Sequence, residues 1–176
     1  MKRIILITMI FSLQYSIAIC GDNVCTINKL EALGSNHFSL DVSVINDDTI
    51  AGFQIPLKFY PEDCIISVDS INLENSRGTV FQLLDADINP NGDIAYIYGN
   101  YTISDDEHYS PLDEGEGLIG KIFLTCSSLG DNPILKIGQN EFINGEVKFN
   151  YSFWSVNTQE IKCRFETKSF KIPIEE

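Results

Sequence analysis

The stretch DINPNGD, residues 87–93, sets Asp87, Asn89 and Asn91 at every second position ahead of Gly92. Oxygen-bearing side chains at positions 1, 3 and 5 with a glycine at 6 open an EF-type calcium loop, which needs a bidentate acid at position 12. Position 12 here is Tyr98, which brings no carboxylate. The flanks TVFQLL and DIAYIYG are alternating apolar runs. Asn-Gly between two such runs favours a tight two-residue hairpin, because both positions tolerate positive φ. The stretch is read as a hairpin tip, and no metal site is assigned to it.

Cysteine is the second residue type with chemistry to offer. The chain carries Cys20, Cys25, Cys64, Cys126 and Cys163. Structural zinc sites use closely spaced cysteine pairs, and Cys25 and Cys64 are 39 positions apart, so zinc is set aside. Cys25, Cys64, Cys126 and Cys163 are instead disulfide candidates, with three possible pairings. Packed sheets lie about 10 Å apart, while bonded Cα atoms lie roughly 4.4–6.8 Å apart, so bridges should join neighbouring strands.

Other reactive groups are sparse. The segment DDEHYSPLDEGEG, residues 105–117, holds six acids and no lysine or arginine, and reads as a solvated loop. His37 and His108 sit in polar surroundings far apart in sequence, as surface residues do. The chain contains no G-x-S-x-G, H-E-x-x-H or phosphate-loop motif. No pair of carboxylates is singled out for glycoside chemistry. No catalytic residue and no cofactor are therefore assigned. Trp154, the single tryptophan, alternates with Tyr151 and Phe153. It reads either as a rim residue over a sheet edge or as an exposed ring that stacks on a ligand such as a sugar.

The elements that must carry these residues are strands. FQIPLKF puts Phe53, Ile55, Leu57 and Phe59 on one face and Gln54, Pro56 and Lys58 on the other. Pro56 offers no N–H, so its strand should be an edge or be unpaired there. LDVSV, EVKFNYSF and IKCRF repeat the period of two, the last placing Cys163 beside Ile161 and Phe165. LIGKIFL, residues 118–124, is apolar nearly throughout and reads as a central strand buried on both faces. Clusters such as NDD, YPED, DEGEG, GDNP and NG separate the runs. No stretch shows helical periodicity. Short strands without helices predict an all-β antiparallel sandwich in one domain.

Residues 1–20 stand apart from that domain. MKR is followed by an apolar run of about 16 residues, shorter than the roughly 20 of a membrane span. Small residues follow, with Ser16 and Ala18, or Ala18 and Cys20, fitting a cleavage site. The segment reads as a secretory signal, and residues 21–176 as the domain. Lipidation at Cys20 is disfavoured by Ile19, since that signal wants a small residue there. Loss of Lys2 and Arg3 with the signal takes away two positive charges and moves the formal charge from −13 to −15. So acidic a chain excludes nucleic acid as a partner, because that affinity rests on Lys and Arg against phosphates. The mature chain has no further run long enough to span a membrane.

Two stretches carry a family likeness. IAGFQIPLKFYPEDCIISVDSI, residues 50–71, resembles the cohesin segment in which an I-x-G-F-Q strand leads through a Tyr/Asp/Pro turn into a second apolar strand. GEGLIGKIFLTC, residues 115–126, resembles a later cohesin strand, and RGTVFQLLDADINPNGDIAYIYG between them fits the central strands. The likeness spans roughly residues 38–137 and does not include the cysteines. It implies a jelly-roll sandwich of about nine strands and a secreted, extracellular, non-catalytic module that binds a protein partner of dockerin type. A polysaccharide-binding module on the same sandwich is the alternative.

Overall fold

A computed structural model of the chain describes residues 23–34, 36–102, 109–127 and 130–173. The predicted signal segment 1–20, Cys20, His108 and the first part of the acidic loop lie outside the described residues. Eight longer strands come first: β1 (Asn23–Gly34), β2 (His37–Asn46), β3 (Gly52–Glu62), β4 (Ile65–Asn72), β5 (Leu83–Ile88), β6 (Ile94–Asn100), β7 (Gly115–Ser127) and β8 (Ile134–Gln139). Six short ones follow: β9 (Phe142–Asn144), β10 (Val147–Phe149), β11 (Ser152–Trp154), β12 (Glu160–Ile161), β13 (Cys163–Glu166) and β14 (Lys168–Lys171). A single 3-10 turn, Arg77–Val80, is the one helical element among the described residues.

Apart from β9 and β10, which make a separate two-stranded sheet, the strands form two facing sheets. One runs β13-β1-β2-β7-β4; the other runs β12-β11-β3-β6-β5, with β8 also on β3 and β14 on β8. The period of two accounts for the core between them. Phe53, Ile55, Leu57 and Phe59 of β3 are all buried, facing Leu40 and Val42 of β2 and Ile122 and Leu124 of β7. Each such side chain contributes roughly 1.5–3 kcal/mol on full burial. The expected all-β sandwich is therefore present, with strand segments beyond the nine of the resemblance because the region after residue 141 is cut into short pieces.

Pro56 explains one break in the second sheet. β3 is internal, with β6 along one side. Its other side pairs first with β11, at Gly52–Gln54, and then with β8, from Leu57. The Pro56 carbonyl accepts from the Asn140 N–H on that same side, so the missing donor falls in the gap between two partners. The proline thus sits where the ladder changes strands.

Four features depart from the sequence reading. EVKFNYSF is two strands in different sheets: β10 pairs with β9, and β11 pairs with β3, so Val147 is exposed while Phe153 is core. IKCRF also splits, with Ile161 in β12 and Cys163 in β13. In β7, Leu118, Lys121 and Phe123 are only half-buried, so that strand buries one face rather than two. Finally, the sandwich is not wholly antiparallel. β13 lies parallel to β1, with Asn23 beside Cys163 and Cys25 beside Phe165. Parallel pairing is available because the whole domain, not a hairpin, separates these two strands.

Candidate functional site

The turn in DINPNGD positions the site's first wall. Gly92 N–H bonds to the Asn89 carbonyl, and Gly92 takes φ +69°. Asn91 has no positive φ, so the tip is a turn over Asn89–Gly92 closed by a left-handed glycine, not a two-residue Asn-Gly turn. The Asn89 side-chain oxygen accepts from the N–H groups of Asp93 and Ile94, and its amide donates to Asp93. Asp87 accepts from the neighbouring Ile88 N–H. The residues that spelled a calcium loop are thus occupied with closing a hairpin, and β5 and β6 pair in register from Leu83–Asn100 to Ile88–Ala95.

That register decides what faces outward. Ala95, Ile97 and Gly99 of β6 turn to the core and are buried. Tyr96 and Tyr98 alternate with them on the outer face, opposite Asp87 and Asp85 of β5. Gly99 leaves room for a ring, since a Cβ there would come within 2.7 Å of Phe53.

The second wall arrives from far along the chain. The hairpin of β9 and β10, turning at Gly145 with φ +60°, folds over the outer face of β6. Phe142 stacks on Tyr96 with centroids 4.9 Å apart and planes 6° apart, and Phe149 leans on the same ring at 4.7 Å. Tyr98 continues the stack at 6.3 Å. Between hairpin and sheet runs a groove of about 320 Å³, lined by Leu83, Asp85 and Asp87 on one side, Tyr96 and Tyr98 at the base, and Phe142, Asn144 and Phe149 on the other.

The groove's chemistry is mixed. Tyr96 is only 6% exposed, and its hydroxyl finds no hydrogen-bond partner among the described residues. Two other buried oxygens, on Ser76 and Ser155, are also unpartnered, but neither lines this groove. Burial, then the neighbouring Tyr98 and Asp85, pushes the Tyr96 phenol well above its usual range, so it stays a neutral donor and acceptor. Asp85 and Asp87 are exposed at the lip. Leu83 lines it with 49% of its surface exposed, and Val147, opposite Asn144 in the hairpin, exposes 54%. An apolar or flat group fits beside the stacked rings, along Tyr98 and Leu83, and a cation suits the lip.

The residues singled out from sequence fall elsewhere. Trp154 sits opposite Gly52 in the β11–β3 pair, and a Cβ on Gly52 would stand 2.2 Å from the indole. The ring therefore lies across the glycine backbone. His37 is exposed, bonding through Nδ1 to Thr125, which donates to Asp69. Cys25 and Cys126 are buried, and Cys64 and Cys163 are partly so; the four stand as two neighbouring pairs. No cluster of three or more metal-ligating side chains occurs among the described residues. No described helix is long and apolar enough to cross a membrane. The aromatic groove went unread in the sequence. Its signal was DIAYIYG, where small and aliphatic residues take the core face and tyrosines take the other.

No family model matches the chain, and no curated protein matches it. Solved structures do. The seventh ScaB type I cohesin of Pseudobacteroides cellulosolvens superposes with TM-score 0.61 at 12% identity, over 88% of this chain and 97% of that one. A type I cohesin–dockerin complex of Clostridium thermocellum gives 0.62 at 10% identity, over 86% and 99%. A non-cellulosomal cohesin of the archaeon Archaeoglobus fulgidus gives 0.56 at 13%, over 87% and 92%. At such identities the likeness speaks to architecture, and on it this chain has the cohesin fold.

Proposed function

We propose that this protein is a secreted, non-catalytic binding module that holds a folded protein partner at the groove between the β9–β10 hairpin and the outer face of β5 and β6. The observation that carries the reading is the aromatic base of that groove, with a buried, unpartnered Tyr96 hydroxyl and two carboxylates at the lip. Aromatic anchors ringed by exposed apolar residues match the make-up of binding hot spots. Among similar structures are complexes of cohesins with dockerins, which supports a partner of that kind. On an acidic chain with Asp85 and Asp87 at the lip, the partner presents basic and apolar side chains. Export is supported by the basic start and short apolar run of residues 1–20. A polysaccharide ligand gains no support from Trp154, whose ring is laid over Gly52.

The test is a comparison. Immobilised wild-type protein and a Leu83→Ala/Tyr98→Ala variant are exposed to the proteins secreted by the source organism, and any retained protein is titrated against both. Retention by the wild type, with roughly tenfold or greater weakening in the variant at unchanged melting temperature, is expected. Equal binding to both forms, or retention of soluble polysaccharide alone, would overturn the assignment.

A further inference from the structure

We infer that the four described cysteines form two disulfides, Cys25–Cys163 and Cys64–Cys126, each tying a strand to the one beside it. Spacing alone left three pairings open, and tertiary structure chooses among them.

The first pair follows from the parallel join of the chain's two ends. Asn23 lies beside Cys163 across β1 and β13. Cross-strand neighbours share a face, and so do residues two apart, so Cys25 points the same way as Cys163. Tyr151 marks the meeting point: its hydroxyl bonds to the Cys163 sulfur at 3.3 Å and also reaches Cys25. The Cys25 N–H in turn points at the Cys163 sulfur.

The second pair follows from the antiparallel join of β4 and β7. Ile66 is opposite Cys126. Cys64 stands two residues before Ile66, on the same inward side, packed against the core that holds Cys126, and each of the two sulfurs is near enough to perturb the other's titration. The two pairs lie on different strand joins, β1–β13 and β4–β7, at opposite edges of the first sheet. A cross-pairing would have to span the strands between them, beyond the roughly 7 Å reach of a disulfide.

Each pair has the same asymmetry. One sulfur is sealed, Cys25 at 0% and Cys126 at 1% exposure, and the other is reachable. Cys163 opens into a broad cleft beside Asn140 and Arg164, and Cys64 is half-exposed. Burial raises all four thiols above their usual range, so access to an oxidant decides which member of each pair reacts first. Oxidation therefore starts at the reachable member. After its proton passes to water, the thiolate attacks an external low-molecular-weight disulfide, R–S–S–R. The oxidant's S–S bond breaks, a mixed disulfide forms, and one R–S⁻ leaves and is protonated. The sealed partner, giving up its proton, then attacks the protein sulfur and expels the second R–S⁻. Two protein thiols are oxidised and one external disulfide is reduced to two thiols.

The test uses the full chain, refolded in a mixture of oxidised and reduced glutathione, so that it is independent of export and of any partner. Denaturation without reductant, alkylation and proteolysis precede mass spectrometry. The expected map shows Cys25 linked to Cys163, Cys64 linked to Cys126, and no alkylated thiol at these positions. Among the four positions, a Cys163→Ser variant should expose one alkylatable thiol, Cys25, beside that of Cys20, and keep the Cys64–Cys126 link. A link joining Cys25 to Cys64 or Cys126 would overturn the assignment, as would four alkylated cysteines. Should the variant fail to fold, the wild-type map decides alone.

Discussion

Lys58 and Asp93 show how a single residue can be tied into several elements at once. Lys58 lies on the outer face of β3, and its ammonium pairs with the carboxylate of Asp93 at the end of the β5–β6 turn. The Lys58 hydrogen bond, and then the Asn89 amide, hold Asp93 below the usual carboxylate range. A carboxylate depressed in the folded state adds stability that is fully present above its unfolded value of about 3.9 and is lost as pH falls through the lower folded value. Both groups are partly exposed, so the contribution is modest, about 1 kcal/mol. Asp93→Asn should therefore lower stability by about that amount at pH 7, with the gap to the wild type narrowing at acid pH, below the usual carboxylate value of about 3.9. Urea unfolding at both pH values checks it; an undiminished gap at low pH would show that the pair is not the cause.

Among the elements, the β5–β6 hairpin depends on Gly92 in two ways. Its φ of +69° suits glycine far better than other residues, and an added Cβ would sit 2.8 Å from the Ser67 hydroxyl oxygen. The turn is also docked, with the Gly92 carbonyl accepting from Val68 N–H and that of Asp93 from Phe59 N–H. Gly92→Ala is expected to cost about 1–2 kcal/mol, whereas Asn91→Ala, exposed and outside that geometry, should stay within about 0.5 kcal/mol. Thermal unfolding of both variants measures the difference. With Asn89 committed to the turn and Tyr98 at the twelfth position, calorimetry with Ca²⁺ should show no binding in the ~10⁻⁷–10⁻⁵ M range of sensor loops.

Across the whole molecule, the last described strands clamp both sheets. β13 extends the first sheet beside β1, and β14 extends the second beside β8. Ile172, directly after β14, is 1% exposed and donates its N–H to the Pro133 carbonyl. Ile172→Ala should lose about 2–5 kcal/mol, as large-to-small changes in a packed core do, while Lys171→Ala next to it should be near neutral. Denaturant midpoints compare the two directly. A small loss at Ile172 would mean that the clamp is not part of the cooperative unit.

Alternation alone was enough for the core of β2 and β3 and for the sandwich class, because a strand with one buried face must repeat every second residue. Pro56 was legible as a break in a ladder for the same local reason: it lacks a donor wherever the strand is placed. The short segments after residue 141 were not legible. EVKFNYSF alternates without interruption, yet Val147 and Phe153 serve different sheets, because pairing partners are set by distant strands and not by the run itself. The groove belongs to the same class. Tyr96 and Tyr98 could be placed on one face from DIAYIYG, but only the packing of Phe142 and Phe149, more than forty positions on, turns that face into a walled site. Cysteine number set the possible pairings in advance, whereas neighbourhood between sulfurs is a property of register, and register between β1 and β13 exists only in the folded chain.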